Sequence, residues 1–372
     1  MTVANYLKRK IENAKKHIDN KRRSEYNVIM DKKTIKTIFA LIVLSTVLSF
    51  SSCPFFNQNQ RTRGLFSEDV INFSDVNSEF DDYNSMFWGS KLNQVLTFST
   101  NRNSNGNNFD IIAKELNITW NQNHEYAQIS ARDLRENNNE KLISILDIIN
   151  TPYNELGPYS IPWHLELSQP EFFLFSSNRS GKYNIYFVDI ENMIVSDIKF
   201  LNSNANNLYP SFFGEGFFFH CWDPWPNIRN IDRFIYSSDK EGNFNIYEIV
   251  IPAGMSILEF LKSEENHESV RLNINSSADD KYPFVNGNLL VFSSNRPGGF
   301  GGFDLYYSVR ENGRWSDPVN FGDRINTPYD ERRPITLSMD LINNNLLLFS
   351  SNRPGGKGGF DLYYTGINQM IR

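Results

Sequence analysis

The sequence holds only two cysteines in 372 residues, too few for a disulfide-stapled scaffold. It has no basic excess. Its 37 Lys+Arg face 43 Asp+Glu, a net charge of -6, so no general attraction to phosphate supports nucleic-acid binding. It has no apolar run of the roughly 20 residues that a bilayer-spanning helix needs. It also lacks a Gly-x-Ser-x-Gly elbow, a His-Glu-x-x-His pair and a Walker loop, which removes three common enzyme chemistries from view. What it has in quantity is aromatic residues. The 30 Phe and 17 Tyr lean toward β structure, and 40% apolar content over this length supports a sizeable core.

Charge is unevenly spread. Residues 1–52 carry 11 Lys+Arg against 4 Asp+Glu, which leaves 26 against 39 in the rest, a net of -13. Residues 37–52, TIFALIVLSTVLSFSS, contain no charge and follow Lys32, Lys33 and Lys36. A basic region, a short apolar run and small residues before a cleavage point make a secretory signal. Ser51-Ser52-Cys53 resembles a bacterial lipobox, with Phe50 where Leu is usual, and implies a lipid-modified Cys53. The expected segments are an upstream extension at 1–29 from a misplaced start, a signal peptide at 30–52, a tether at 53–66 and a folded domain at 67–372. An uncleaved anchor helix and simple secretion are the alternatives. The expected location is the outer membrane of a Gram-negative envelope.

One unit recurs five times. Residues 289–308, LLVFSSNRPGGFGGFDLYYS, and 346–365, LLLFSSNRPGGKGGFDLYYT, match at seventeen of twenty positions. Weaker copies span 96–112, 173–187 and 234–248. Phe98, Phe175, Tyr236, Phe292 and Phe349 mark the copies, spaced by 77, 61, 56 and 57 residues. Each copy reads as an apolar strand, a Gly-containing hairpin turn and an alternating second strand. INTPYNE at 149–155 and INTPYDE at 325–331 mark the crossings between units.

The fourth unit continues into GRWSDPVNF (313–321), an outer strand. The fifth has no such continuation, but residues 67–85 match 316–334, which places Val70–Phe73 in the last unit's sheet. Such a latch closes a ring of sheets. The expected fold is therefore an all-β propeller of five four-stranded antiparallel blades, with six blades as the numerical alternative. Residues 122–146 are expected to form a partly helical excursion and an outer strand.

FSSNRPGG followed by FDLYY resembles the WD40-like, PD40-type propeller repeats of TolB and of exported lipoproteins in Bacteroidota. The resemblance covers roughly residues 67–366, most strongly the last two units, and implies a protein-contact scaffold without a defined active site.

The repeated Asn101, Arg102, Asn178, Arg179, Asn295, Arg296, Asn352 and Arg353, with Asp304 and Asp361, are expected to serve their own hairpins, each Arg pairing with a carboxylate or carbonyl. Asp279, Asp280, Asp330 and Glu331 offer clustered oxygens that a structural calcium would accept; no other cofactor is expected. An insertion at 214–233 places His220, Cys221, Trp222, Asp223 and Trp225 together, and Trp163-His164 occupies a comparable place. These are candidate contacts for an envelope protein partner or a carbohydrate. Catalysis is the less favoured reading. A glycoside hydrolase would draw its paired carboxylates from Glu155, Asp223, Asp279 and Glu331.

Overall fold

The structure is a computed structural model, and it describes residues 63–370 apart from 91–92, 122, 162–170, 202, 220–229 and 340–341. The expected signal segment and Cys53 lie outside the described residues.

Among the described residues the first strand is the two-residue β1 (Ile71–Asn72), and the sheets then follow one after another. The first is β2 (Asp82–Ser90), β3 (Asn93–Thr100), β4 (Asp110–Thr119) and β5 (Gln128–Asp133). Helix α1 (Glu136–Ile149) leads to the second: β6 (Glu155–Tyr159), β7 (Phe172–Ser177), β8 (Asn184–Asp189) and β9 (Ile194–Asp197). The third is β10 (Asn207–Gly214), β11 (Ile231–Ser238), β12 (Asn245–Val250) and, after α2 (Ile257–Lys262), β13 (Ser269–Arg271). The fourth is β14 (Asp280–Asn286), β15 (Leu289–Ser294) and β16 (Asp304–Glu311), with β17 (Arg314–Trp315) and β18 (Val319–Asn320) both paired to β16. The fifth is β19 (Glu331–Leu337), β20 (Asn345–Ser351) and β21 (Asp361–Ile367), with β1 as its outer strand. The chain is a five-bladed β-propeller.

The sequence pattern follows from this packing. Strands β7, β15 and β20 are buried along their whole length, because each blade is covered by a neighbour on both faces. Hence the unbroken runs FFLF, LLVF and LLLF, where a one-faced strand would alternate. The outer strands β5, β9 and β13 contain no buried residue.

Closure is made where the repeats predicted it. Ile71 and Asn72 pair with Tyr364 and Tyr363, and Phe73 N–H donates to Leu362 O at 2.9 Å. Asn77 clasps Leu362 from both sides, its Nδ2 donating to the carbonyl and its Oδ1 accepting from the amide. Asn150, Asn275 and Asn326 make the same two-way clasp to Ile111, Ile246 and Leu305, which explains the recurrent Ile-Asn of the crossings. Contact with the ring begins before residue 67. Phe66 is buried and exchanges two hydrogen bonds with Asn344, so the end of the expected tether belongs to the fold.

The third residue of every innermost strand has a left-handed backbone: Asn84, Gly157, Tyr209, Tyr282 and Arg333, with φ of 49–61°. The ladder register shifts at each of these bulges. Four of the five freed amides donate across the blade interface, to Ser350, Ser99, Ser176 and Ser237 Oγ respectively. These are the first serines of the repeated Phe/Tyr-Ser-Ser/Thr. The bulge thus gives up ladder pairing and gains a tie to the preceding blade.

Candidate functional site

The recurrent arginines are placed alike. Arg102, Arg179, Arg296 and Arg353 reach Asp82, Glu155, Asp280 and Glu331 at 2.5, 3.0, 2.6 and 3.0 Å. Each also donates to a junction carbonyl, of Val76, Ile149, Ile274 and Ile325. All four carboxylates are wholly buried. Burial raises the carboxyl pKa of Glu155 and Glu331, and hydrogen bonds from Thr151 and Thr327 oppose that rise. In the third blade Lys240 replaces the arginine and Asn207 replaces the carboxylate, so the anion is lost, the cation is kept and the ion pair is absent. Lys240 turns instead to Ser269 and the Tyr247 ring.

Asp304 and Asp361 cap their hairpins. Asp304 accepts from the amides of Phe300 and Gly301, and Asp361 from those of Lys357 and Gly358. A Cβ at Gly299 or Gly356 would sit 2.3 or 2.5 Å from these carboxylates, which is why the turn reads Pro-Gly-Gly.

The repeated asparagines build something larger. Asn101, Asn178, Asn295 and Asn352, with Asp239 in the third blade, each accept from the amide just before an innermost strand: Asp81, Asn154, Asp279, Asp330 and Asn206. Those five residues in turn cap the amides of Phe360, Phe109, Phe303 and Tyr183, and of Phe244, through their own side-chain oxygens. Each aromatic carbonyl then accepts from the first amide of the next innermost strand. This relay fixes five aromatic residues, one per blade, around one end of the ring axis.

All five aromatics are half-buried, and they alternate with Tyr83, Leu156, Leu208, Lys281 and Arg332 from the innermost strands. Tyr83 lies between Phe109 and Phe360, at 4.8 and 5.9 Å. The Lys281 ammonium is 3.8 Å from the Phe244 centroid and 5.5 Å from that of Phe303. The Arg332 guanidinium lies 5.2 Å from Phe303 and 4.7 Å from Phe360. Burial lowers the pKa of Lys281, against the pull of Asp279. Arg332 pairs with Asp330 at 2.7 Å, and its Nε has no partner. Inside the ring, the Tyr209 and Tyr282 rings pack tilted at 41° with centroids 4.4 Å apart, and burial holds both phenols above their usual range. Around it, Tyr153, Phe300 and Tyr329 are 43–48% exposed, two of them from the INTPY crossings. The mouth is thus apolar on one side and aromatic–cationic on the other.

Trp163, His164, His220, Cys221, Trp222, Asp223 and Trp225 lie outside the described residues. Of the calcium set, Asp280 and Glu331 are held by arginines, Asp279 faces Lys281, and Asp330 faces Arg332. Among the described residues no three His, Cys, Asp or Glu side chains gather as metal ligands. Sequence reasoning missed the mouth. Its available signal was the aromatic before each second strand (Phe109, Tyr183, Phe244, Phe303, Phe360).

No protein-family model and no curated protein matches the chain. Solved structures are similar to it in fold. A family-62 glycoside hydrolase in complex with xylotriose is 8% identical with a TM-score of 0.42, the match covering 84% of this chain and 99% of the other. A thermostable family-43 glycoside hydrolase is 12% identical at 0.45, covering 77% and 89%. TolB from Acinetobacter baumannii is 12% identical at 0.31, covering 80% and 66%. In fold, the chain is a five-bladed propeller similar to such hydrolases and to TolB-like propellers.

Proposed function

We propose that this chain is a non-catalytic binding propeller that presents its aromatic–cationic mouth to another protein at the cell envelope. The observation that carries the reading is the alternating ring of half-exposed aromatics with Lys281 and Arg332, rimmed by Tyr153, Phe300 and Tyr329. Aromatic and arginine side chains held rigidly by hydrogen bonds lose little entropy on binding, the usual composition of an interface hot spot. Glu155 and Glu331, two of the carboxylates a hydrolase would draw on, are sealed against arginine, threonine and serine. Lipid attachment at Cys53 would hold the ring at the membrane. Among the described residues no helix is long and apolar enough to cross one.

The test compares cross-linking in intact envelopes for the wild type, for Tyr153→Ala/Phe300→Ala/Tyr329→Ala, and for an outer-edge control, Ile194→Ser/Val270→Ser. A partner adduct lost only in the first variant supports the reading, and an adduct that survives it overturns it. Binding to cell-surface oligosaccharides lost in the same variant would move the ligand class to carbohydrate. Palmitate labelling of the wild type but not of Cys53→Ala tests the anchor.

A further inference from the structure

The third-position residues of the innermost strands meet at the centre of the ring. Arg333, on the fifth blade, lies 5.8 Å from the Tyr209 ring on the third, so its side chain reaches across the axis. It is wholly buried. Its Nη1 donates to Pro283 O at 3.1 Å, while Nε and Nη2 have no partner. Among the described residues no carboxylate pairs with it. The titratable groups that bear on it are Tyr209, Tyr159 and Tyr282, whose phenols burial keeps neutral. Burial lowers the Arg333 pKa, but only to about 10, so it stays a cation at neutral pH. On the adjacent first blade Asn84 takes the equivalent position, and both its side-chain oxygen and its nitrogen are buried without partners. An enclosed cation with two idle nitrogens, and an idle amide on the next strand, is strongly unfavourable unless something neutralises it.

We infer that the ring axis holds a small monovalent inorganic anion of the halide class, bound by Arg333 Nε and Nη2 with the Asn84 amide as neutral donor. The charge is set by the site. Arg332, the neighbouring cation, is already paired with Asp330, so one negative charge balances Arg333 and a dianion would leave an excess. The size is set by enclosure. A side chain with no exposed surface offers no path for the carboxylate of a larger ligand. The site lies deeper than the mouth and does not depend on what binds there.

Two measurements on the full protein test this. Crystals soaked in bromide should show an anomalous peak in hydrogen-bonding range of Arg333 Nε and Nη2. The melting temperature should rise saturably as chloride or bromide replaces gluconate at constant ionic strength, as mass action requires of a ligand that binds only the folded state. In Arg333→Met that halide response should vanish. Density that fits only water at Arg333, or a melting temperature indifferent to halide in the wild type, overturns the inference. The bromide measurement needs no variant, so it decides even where Arg333→Met fails to fold.

Discussion

Replacing Arg353 by methionine removes a guanidinium while keeping much of the side-chain volume. Three hydrogen bonds go with it: to Glu331 Oε1 at 3.0 Å, to Ile325 O at 2.6 Å and to Ser351 Oγ at 3.1 Å. The Glu331 side chain is 0% exposed and that of Arg353 only 13%, so water does not step in. Stranding one member of a buried pair costs about 3–5 kcal/mol. Glu331 keeps the Thr327 amide and hydroxyl and the Ser351 hydroxyl, so the expected loss lies at the lower end, about 3 kcal/mol. Glu331→Gln removes the charge instead, and an amide needs no counterion. The double variant should therefore be more stable than Arg353→Met alone. The pH dependence has a definite sign. Burial raises the folded pKa of Glu331, and without Arg353 it rises further. A carboxyl that is raised in the folded state holds its proton where the unfolded chain has lost it, so stability falls as pH climbs from the unfolded value through the folded one. The deficit of Arg353→Met should be largest at neutral pH and shrink as the solution is acidified toward the ordinary carboxyl range. Urea unfolding followed by the fluorescence of buried Trp88 and Trp315 measures both effects. A variant within about 1 kcal/mol of wild type at both pH values, unimproved by the second substitution, would refute the reasoning, because that is the range of an exposed ion pair.

Other consequences of the same geometry can be checked alongside. Deleting residues 63–73 removes β1 and the Phe66–Asn344 exchange, and should expose the edge of β21 and give a chain that associates, seen as a shift in light scattering. Gly358→Ala places a Cβ 1.9 Å from Phe80 O across the closing interface, whereas Gly355→Ala meets only a backbone with φ of +91°. The first should cost about 3 kcal/mol and the second about 1, and equal melting temperatures would count against the interface geometry. Asn326→Ala breaks a buried two-way clasp to Leu305 and should cost about 2 kcal/mol in the same unfolding assay.

Most of the architecture was legible because it repeats. The match between 67–85 and 316–334 located the closing strand to within one residue at each end: Val70–Phe73 was expected, and Ile71–Asn72 is observed. The excursion after the first unit does contain an outer strand and a helix, β5 and α1. What repetition could not convey was why each residue recurs. Asn352 looks like a turn former in the sequence, but its Oδ1 holds the Asp330 amide, and Asp330 holds Phe303. That relay crosses two blades, so it has no signature within one unit. The exchange of Arg and carboxylate for Lys240 and Asn207 was visible in the sequence, but only if residues some thirty positions apart are compared as partners.

The mouth and the axis were hidden for a different reason. Outside the centre, five equivalent positions are far apart and can carry the same residue, as the repeated arginines do. At the axis they converge. Five bulky side chains there would collide, and five like charges would repel at low dielectric. The third position must therefore vary, and it reads Asn84, Gly157, Tyr209, Tyr282, Arg333. The variation is complementary: a Cβ on Gly157 would stand 2.6 Å from the Tyr209 ring, so the missing side chain on one blade makes room for the large one on the next. Departure from the repeat is thus demanded by packing at this place, and it is not by itself a sign of function. The distinguishing sign is a departure that packing leaves unpaid. Tyr209 and Tyr282 fill the centre and pack on one another, whereas Arg333 brings a charge that nothing among the described residues balances. A purely steric filler at that position would have been apolar, and the buried cation there is the observation on which the proposed anion rests.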